Sequence, residues 1–465
     1  MTMDSFPKDF ADRIKEQDYI DADSLLYSLE LPSPVSLRIN AAKWNLSPSS
    51  ATPVSWCSSG WYLDKRPSYT SDPLFHSGCY YPQEASGMFL EQAFNQVVAE
   101  HKNIRVLDLC GAPGGKSTHL SSLIGSKGFL VANEVIKSRA GILAGNITKW
   151  GTGNTIVTNN DPSSFNRLAS YFDLVLVDAP CSGEGMFSDL NVRSEWSPDN
   201  ASLCSERQRR IVMDVWPSLK EDGILIYSTC TFNPAENEEN IKWLSEKTGA
   251  SSVKLDILKF SGVNEISFKG ITGYGFYPGK IKGEGLFVSI VKKGGDLSKS
   301  IKHSFRNINN QLTNSDLNIA RSLIDTSLTN LYRHDDIVYE LALQSGEYQF
   351  LKNYLRIIKG GTALFKIRNK DYSPLHDLAV SCLIRNDAFP SIELDYSQSI
   401  SFLKKENITL KDAKKGWTLL NYRGVNLGFV KNIGSRANNY FPVDWRIRMD
   451  GISLNDKNLV AWEKR

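Results

Sequence analysis

The sequence predicts an α/β protein whose centre is a doubly wound parallel sheet. From about residue 104, short apolar segments alternate with amphipathic stretches that have helical periodicity. Apolar segments with so few polar positions are typical of strands covered by helices on both faces. A turn rich in glycine, CGAPGGK, follows the first segment and leads into a helix, as in sheets that bind a ligand at the carboxyl ends of their strands.

The predicted elements of this sheet follow one another in a regular order. The strands are IRVLDLC, GFLVANE, NTIVT, FDLVLVD and GILIYSTC, and the helices cover residues 117–124, 137–149, 201–219 and 235–248. A later segment, GLFVSIVKK, is expected to close the sheet at an edge. The loops after Leu109, Val177 and Tyr227 then open onto one rim, where such sheets bind their ligands.

The chain divides into three predicted regions around a linker. Residues 1–100 are expected to form a small α+β region, with a helix around FADRIKEQ and an extended VSLRIN segment, and residues 101–292 the core. The segment 292–302 is rich in Gly, Ser and Lys, as linkers are. Residues 303–465 are expected to be a β-rich region with a hairpin-like GWTLLNYRGVNLGFVK segment.

Composition and charge exclude several classes of protein. Of the 465 residues, 41% are hydrophobic, but no apolar run is long enough to span a bilayer and the N-terminus has no apolar signal segment, so we expect a cytoplasmic protein. We also expect it to be a monomer. The net charge of +3 is too small to identify a partner. Seven scattered cysteines without a CxxC pair argue against a disulfide framework and against a metal site. For Cys57, Cys79, Cys204 and Cys382 we expect buried, inert thiols.

The glycine-rich turn is compatible with two kinds of ligand. Its glycines let the backbone approach a ligand, and the helix N-terminus offers N–H groups to a carboxylate or a phosphate. An NTPase phosphate loop, GxxxxGK[ST], would need glycine where this chain has Cys110. The turn therefore fails one defining position of that pattern, and the NTPase is the rival interpretation.

Two acidic residues at strand ends point to a ligand that carries a ribose. Glu134 ends the second strand, 19 positions after Gly115, where an acidic residue binds a ribose diol in related folds. Asp161 ends the third strand and is placed to face an adenine. The alternatives are a surface acid for Glu134 and a helix cap for Asp161, because Asp before Pro-Ser-Ser is good capping chemistry.

Taken together, these segments resemble the Sun-type RNA (cytosine-C5) methyltransferases. CGAPGGKS is similar to their cofactor loop, DAPCSGEG to their target-base motif and YSTCTFNPAENE to their nucleophile motif. The resemblance covers about residues 30–292, from SLRIN to GEGLFVSIVKK. The tail GVNLGFVKNIGSRANNYFP looks like the PUA-like RNA-binding domain of bacterial members that modify small-subunit ribosomal RNA. Two positions depart from the family: Gly111, where many relatives have alanine, and Gly279, where many have histidine.

The resemblance implies a Rossmann-like class I methyltransferase fold and assigns the site residues. S-adenosylmethionine would be bound by Cys110, Gly111, Ala112, Pro113, Gly114, Gly115, Lys116, Glu134, Asp161 and Asp178. The family gives the attack on the base to the cysteine of STCT, here Cys230, and the release to the cysteine after DAP, here Cys181. Carbon 5 of cytosine is a poor nucleophile, so a thiolate must first add at carbon 6, and the later release is a separate task. Asp178 would touch the cofactor or the polar edge of the cytosine.

Basic and aromatic residues predict the RNA-binding surfaces. The helix containing CSERQRRI carries Arg207, Arg209 and Arg210, for which a solvated helix face is the alternative. Cations and aromatic rings are mixed near the C-terminus, which suits RNA, although buried aromatics of a β-domain are the alternative. These C-terminal residues are Lys431, Arg436, Tyr440, Phe441, Trp445, Arg446 and Arg448. We expect the region to position RNA without affecting cofactor affinity.

The sequence therefore predicts an S-adenosylmethionine-dependent RNA cytosine-C5 methyltransferase that acts on ribosomal RNA or a ribosomal subunit. The other hypotheses are a methyltransferase for tRNA or large-subunit rRNA, an NTPase, and a non-catalytic RNA-binding assembly factor. Cys181 and Cys230 separate the methyltransferase from the NTPase and from the assembly factor, because neither of these needs two cysteines on the ligand-binding rim.

Overall fold

The computed structural model describes residues 6–98, 103–295, 301, 303–305, 312–325, 330–368, 371–408, 410, 414–449 and 458–464. Of the predicted linker 292–302, residues 296–300 and 302 lie outside this range. Within the described part of the chain, no helix is long and apolar enough to cross a membrane.

The N-terminal part forms a small antiparallel sheet and short helices. Its elements are α1 (Lys8–Lys15), α2 (Ala22–Leu29), β1 (Val35–Ile39), β2 (Ser47–Pro48), β3 (Thr52–Pro53), β4 (Gly60–Leu63), α3 (Pro73–His76), β5 (Tyr80–Pro82) and α4 (Leu90–Val97). The sheet order is β3-β4-β1-β5, and VSLRIN forms β1 as predicted. Arg38 on β1 is buried, donates to Thr118 Oγ1 at 2.6 Å and lies 4.4 Å from the centre of the Trp150 ring. This arginine fastens the N-terminal sheet to the core.

The core alternates strands and helices as the sequence predicts. Its elements are β6 (Arg105–Asp108), α5 (Gly115–Ile124), β7 (Phe129–Asn133), α6 (Lys137–Trp150), β8 (Thr155–Thr158), β9 (Phe172–Asp178), α7 (Leu190–Glu195), α8 (Pro198–Val215), β10 (Leu219–Thr229), α9 (Glu238–Thr248), β11 (Ser251–Ser252), β12 (Val263–Phe268), β13 (Ile271–Phe276) and β14 (Leu286–Lys292). Leu107 and Val175 lie in one apolar cluster, and their neighbours Val106 and Leu174 lie in another. Successive strand residues are thus buried on opposite faces, which confirms the doubly wound sheet.

The order of the main sheet is β12-β13-β14-β10-β9-β6-β7-β8-β17. Strands β6 to β10 are parallel, and the order reverses between β6 and β9, which is where a doubly wound sheet binds its ligand. GLFVSIVKK forms β14, but the prediction that it closes an edge is wrong. It pairs antiparallel with β10 on one side and β13 on the other, because the hairpin of β12 and β13 adds two further strands beyond it.

The C-terminal part is rich in strands and packs against the core. Its elements are α10 (Asn314–Leu323), β15 (Asn330–His334), β16 (Ile337–Leu341), α11 (Ser345–Tyr354), β17 (Ile357–Gly360), β18 (Thr362–Arg368), β19 (Asp371–Pro374), α12 (His376–Ala379), β20 (Ser391–Glu393), α13 (Tyr396–Leu403), β21 (Gly416–Tyr422), β22 (Val425–Asn432), β23 (Ala437–Asn439) and β24 (Trp462–Glu463). The predicted hairpin is β21 and β22, paired from Gly416–Asn432 to Tyr422–Val425. β17 lies in the main sheet, antiparallel to β8.

Candidate active site

The glycine-rich turn links β6 to α5 at the point where the strand order reverses. Gly114 has a φ of +119°, a backbone conformation that favours glycine, and α5 begins at the next residue. The Gly111 N–H donates to Asn133 O at 2.7 Å, and a Cβ on Gly111 would lie 2.7 Å from Ser117 Oγ. The departure from alanine at this position therefore makes room for Ser117. The turn is a closely packed cradle with the N-terminus of α5 at its base.

Asp108, which the sequence analysis did not assign, ends β6 beneath this turn. The residue is fully buried, and its Oδ2 accepts a hydrogen bond from Ser117 Oγ at 2.6 Å. Its Oδ1 has no hydrogen-bond partner within the described residues. Burial raises the pKa of Asp108 to about 7. A buried carboxylate oxygen without a partner fits the ammonium group of an amino-acid ligand, which would satisfy the oxygen and favour the charged carboxylate.

Glu134 and Asp161 lie at the ends of β7 and β8, as predicted, but in different environments. Glu134 is buried; its Oε1 accepts the Ile136 N–H at 2.9 Å and its Oε2 lies 3.5 Å from Arg139 Nη1. Asp161 is exposed and caps a short 3-10 helix by accepting the Ser163 N–H at 3.0 Å. The capping alternative for Asp161 is therefore present in the structure, while Glu134 has the burial expected of a ligand-binding acid.

Lys116 and Asp178 form an ion pair on the rim between the turn and β9. The Lys116 Nζ lies 2.8 Å from Asp178 Oδ2, and Ser228 Oγ donates to the other carboxylate oxygen at 2.7 Å. Burial would lower the pKa of Lys116, but the attraction of Asp178 and, to a smaller extent, of the Cys230 sulfur raises it. The lysine is therefore a fixed positive charge beside the nucleophile motif.

The two cysteines of the rim meet directly. The sulfur atoms of Cys181 and Cys230 are 2.8 Å apart, and the Cys230 N–H donates to Cys181 Sγ at 3.2 Å. Both side chains are half-buried. The hydrogen bond with Cys230, followed by burial, raises the pKa of Cys181 well above that of a free thiol. Cys181 therefore keeps its proton in the resting pair.

A buried glutamate, Glu236, ties the two cysteine loops together, a role that the sequence analysis missed. Its carboxylate accepts the Ser182 N–H at 3.0 Å and the Ser182 hydroxyl, and it accepts Gln208 Nε2 at 2.9 Å. Gln208 Nε2 also donates to Pro180 O at 3.0 Å. Glu236, from the loop of Cys230, thus holds Ser182 directly, and Gln208 of α8, which is bonded to Glu236, holds Pro180.

A second buried glutamate, Glu184, supports the same two loops from below. Its carboxylate lies 2.5 Å from Arg13 Nη2 and accepts the Trp196 indole N–H at 3.1 Å and the Phe232 N–H at 3.1 Å. The only sequence signal for either glutamate is an acidic residue inside a motif, SGEG or PAENE, that otherwise leads into buried structure.

The structure also shows how far the four cysteines expected to be inert are buried, and why glycine stands at position 279. Cys57, Cys79 and Cys204 are buried as expected, whereas Cys382 is exposed, so that expectation is wrong for Cys382. It follows α12 in a turn whose backbone N–H donates to Gly151 O at 2.9 Å, and its thiol donates to Trp150 O at 3.7 Å although the residue as a whole is exposed. Gly279 has a φ of +95°, and a Cβ there would lie 2.5 Å from Ser24 Oγ, so histidine would not fit.

The predicted RNA-binding residues separate into exposed and packed groups. Arg207 and Arg210 are exposed, whereas Arg209 donates to Asn240 Oδ1 at 2.6 Å. Phe441 is buried in the C-terminal core, and Trp445 packs against the core domain beside Gly145. The exposed residues of the C-terminal set are Arg436, Tyr440, Arg446 and Arg448. Lys431 is half-buried over the Trp417 ring.

Family models match three parts of the chain. The model of the 16S rRNA methyltransferase RsmB/F matches residues 95–292, that of the N-terminal domain of 16S rRNA methyltransferase RsmF residues 6–85, and that of the methyltransferase RsmF PUA domain residues 389–447. Two curated relatives are named ribosomal RNA small subunit methyltransferase F. The chain is 29% identical to that of Shewanella loihica over 92% of each chain, and 28% identical to that of Shewanella woodyi over 95% of each chain.

Solved structures show the same fold. A methyltransferase homolog protein from Pyrococcus horikoshii is 26% identical, with a TM-score of 0.53, and covers 63% of this chain and 100% of its own. NSun6 from Pyrococcus horikoshii with SFG is 20% identical, with the same TM-score of 0.53 and the same coverage. The partnerless oxygen of Asp108, the glycine cradle and buried Glu134 fit a ligand with an ammonium, a carboxylate and a ribose. The chain therefore belongs to the RsmB/F family of 16S rRNA methyltransferases and is an S-adenosylmethionine-dependent RNA (cytosine-C5) methyltransferase.

Proposed function

We propose that the protein methylates carbon 5 of a cytosine in small-subunit ribosomal RNA, with Cys230 as the nucleophile and Cys181 as the residue that completes release. The observation that carries this proposal is the contact of the two sulfur atoms, 2.8 Å apart, at the carboxyl ends of β9 and β10. An enzyme that acts on ribosomal RNA works where ribosomes are assembled, so the expected location is the cytoplasm.

The cofactor would be held on the side of the rim formed by the turn after β6. The ammonium group would contact Asp108, the carboxylate the N-terminus of α5, and the ribose Glu134. Asp161 would lie towards the adenine. When bound, S-adenosylmethionine supplies an electrophilic methyl group.

Cys230 begins the reaction on the base. Its sulfur shares a hydrogen bond with the Cys181 sulfur, and the Lys116 ammonium is close enough to interact electrostatically with it. The Cys230 thiolate forms a bond to carbon 6 of the cytosine, and the electron pair of the C5–C6 bond makes carbon 5 nucleophilic. Lys116 and Asp178 lie where they can bind the polar edge of the ring and stabilise its added charge.

Cys181 completes the reaction once carbon 5 carries the methyl group. It first releases its own proton to water, and the resulting thiolate then takes the proton from carbon 5. The electrons of that C–H bond re-form the C5–C6 double bond, and Cys230 leaves as a thiolate. The pair thus returns to one thiol and one thiolate.

Single and double cysteine variants test these roles. Cys230→Ala should abolish methylation and form no covalent RNA adduct. Cys181→Ala should still attack and methylate but fail to release, so a nuclease-sensitive band of slow mobility should accumulate on denaturing gels. The double variant should lose that band. Cys204→Ala, which removes a buried thiol of α8, is the matched control and should behave as the wild type.

Two outcomes would contradict the assignment. Normal turnover by Cys181→Ala, or RNA trapping that persists without Cys230, would require the roles to be exchanged or given to other groups. The RNA target is tested separately by bisulfite mapping of small-subunit, large-subunit and transfer RNA from a deletion strain. Loss of a methylcytosine only from tRNA or large-subunit rRNA would replace the proposed substrate, and no loss with intact RNA binding would favour the assembly factor.

A further inference from the structure

The C-terminal part of the chain contributes a strand to the catalytic sheet. β17 pairs antiparallel with β8, from Ile357 opposite Thr158 to Gly360 opposite Ile156. β8 is the strand that leads to Asp161, so β17 lies beside the strand that carries the proposed adenine-binding acid. Without β17, the backbone groups on that side of β8 would be left at a sheet edge.

At the end of this pairing, one asparagine holds Arg356, the residue that precedes β17. Asn160 Oδ1 accepts the Arg356 N–H at 2.9 Å, and Asn160 Nδ2 lies 3.4 Å from Arg356 O. The Asn159 N–H donates to the same Arg356 carbonyl at 3.0 Å. Asn160, the residue immediately before Asp161, therefore bonds to both the N–H and the carbonyl group of Arg356.

The same loop is bonded to the loop that carries Glu134. Asn159 Nδ2 donates to Glu134 O at 2.8 Å and to Val135 O at 2.9 Å. The Asn133 side chain accepts the Asn160 N–H at 3.0 Å and donates to Asn160 O at 3.0 Å. Three asparagines thus connect the proposed ribose-binding and adenine-binding acids to Arg356 in one hydrogen-bond network.

A second contact joins the C-terminal part to the cofactor turn on another element. A Cβ on Gly145 of α6 would lie 3.4 Å from the Trp445 ring, which also has the Lys149 ammonium 5.3 Å from its centre. The next residue on α6, Asn146, donates from Nδ2 to Pro113 O at 2.8 Å in the glycine-rich turn. Trp445 therefore packs against the helix that holds this turn in place.

We propose that the C-terminal part of the chain completes the cofactor site, with Asn160 and Trp445 as positioning residues for S-adenosylmethionine. This inference rests on the proposed cofactor roles of Glu134, Asp161 and the turn. Neither residue is among the proposed cofactor ligands; each is expected to hold in place a segment that carries or supports them, and segments that are already ordered bind a ligand more tightly. The structure thus gives a different expectation from the sequence, which predicted that the C-terminal part would act on RNA alone.

The test is the affinity of the full-length protein for S-adenosylmethionine, measured by calorimetry in the absence of RNA. Asn160→Ala removes the acceptor for the Arg356 N–H and should weaken binding about tenfold. Asn160→Asp keeps that acceptor and should recover most of the affinity. Trp445→Ala should weaken binding about threefold to tenfold by loosening the packing on α6.

Matched controls remove the same residue types elsewhere. Asn353→Ala changes an exposed asparagine of α11, and Trp417→Ala removes a tryptophan that packs within the C-terminal part against Tyr440. Both should leave cofactor affinity within about twofold, the scatter expected of a surface or distant change. Thermal unfolding of each variant shows whether it is folded before its affinity is compared.

The outcomes separate this inference from the proposed function. If the wild type binds S-adenosylmethionine and the folded Asn160→Ala and Trp445→Ala variants bind it equally well, the inference is wrong. If Asn160→Asp is as weak as Asn160→Ala, the hydrogen bond to Arg356 is not the cause. A wild type that does not bind S-adenosylmethionine would instead overturn the cofactor assignment itself.

Discussion

Replacing Glu236 by glutamine tests whether catalysis depends on the hydrogen bonds through which this residue holds the two cysteine loops together. Glu236 is fully buried, and its carboxylate accepts hydrogen bonds from the Ser182 backbone, the Ser182 hydroxyl and Gln208. Glutamine has nearly the same shape but carries no charge, and the Ser182 hydroxyl would have to turn and accept from its NH₂ group. The substitution therefore replaces charge-assisted hydrogen bonds by neutral ones without creating a cavity.

The size of the effect follows from these contacts. A hydrogen bond to a charged group contributes about 1.5–3 kcal/mol, so the loop around Cys181 should lose roughly 2 kcal/mol of local stability. Misplacement of a reacting group by about 1 Å can lower a rate about 10²-fold. We therefore expect kcat for methyl transfer to fall about 30-fold to 100-fold. Cofactor affinity should not change, because Glu236 contacts the cysteine loops and not the glycine-rich turn.

The assay is transfer of a tritiated methyl group to RNA, with S-adenosylmethionine affinity measured in parallel. Glu239→Gln, an exposed acid three residues away, is the control and should leave kcat unchanged. Burial raises the pKa of Glu236 to about 6, so its carboxylate gains a proton, and loses acceptor capacity, as the pH falls through about 6. The activity of the wild type should therefore decrease as the pH falls through about 6. The Glu236→Gln variant should lack this pH-dependent decrease. A kcat of Glu236→Gln within threefold of the wild-type value would show that catalysis does not depend on these hydrogen bonds.

Three further predictions concern the cofactor, the RNA and the N-terminal contact. Because burial raises the pKa of Asp108 to about 7 and an ammonium ligand favours its charged form, S-adenosylmethionine affinity should weaken as the pH falls below about 7. Calorimetry of Asp108→Asn should show weaker binding without that dependence, and an unchanged pH profile would disprove the contact. Arg436→Ala should weaken RNA binding and reduce the slope of affinity against salt by about one, as measured by filter binding, whereas an unchanged slope would remove Arg436 from the RNA surface. Gly78 has a φ of +72°, and an added Cβ would lie 1.9 Å from Lys149 O, so Gly78→Ala should lower the unfolding free energy by at least about 2 kcal/mol. Gly249→Ala, with a φ of +71° in the left-handed region and open space around the added Cβ, is the control for backbone strain and should cost about 1 kcal/mol in the same denaturant titration.

The sequence alone determined the central strands and the rim on which the two cysteines meet. FDLVLVD and GILIYSTC are apolar at almost every position, and this pattern is a local consequence of burial on both faces. Once strands are assigned and parallel, the loops that follow them must lie at one end of the sheet. The position of Cys181 and Cys230 on one rim therefore followed from their place after two strands of the sheet, and the motifs carried the family resemblance.

Only the tertiary structure decided how the parts of the chain complete one another. The pairing of β17 with β8 joins residues about 200 positions apart through backbone groups that every residue carries, so no side-chain pattern announces it. The packing of Trp445 against Gly145 could not be predicted either, because a glycine within a helix does not indicate which residue packs against it. Glu184 and Glu236 stand in motifs that the sequence displays, yet their roles depend on donors brought from α1, α8 and the facing loop. Local periodicity records which side of an element is buried; the identity of the group that buries it is set by the packing of distant segments.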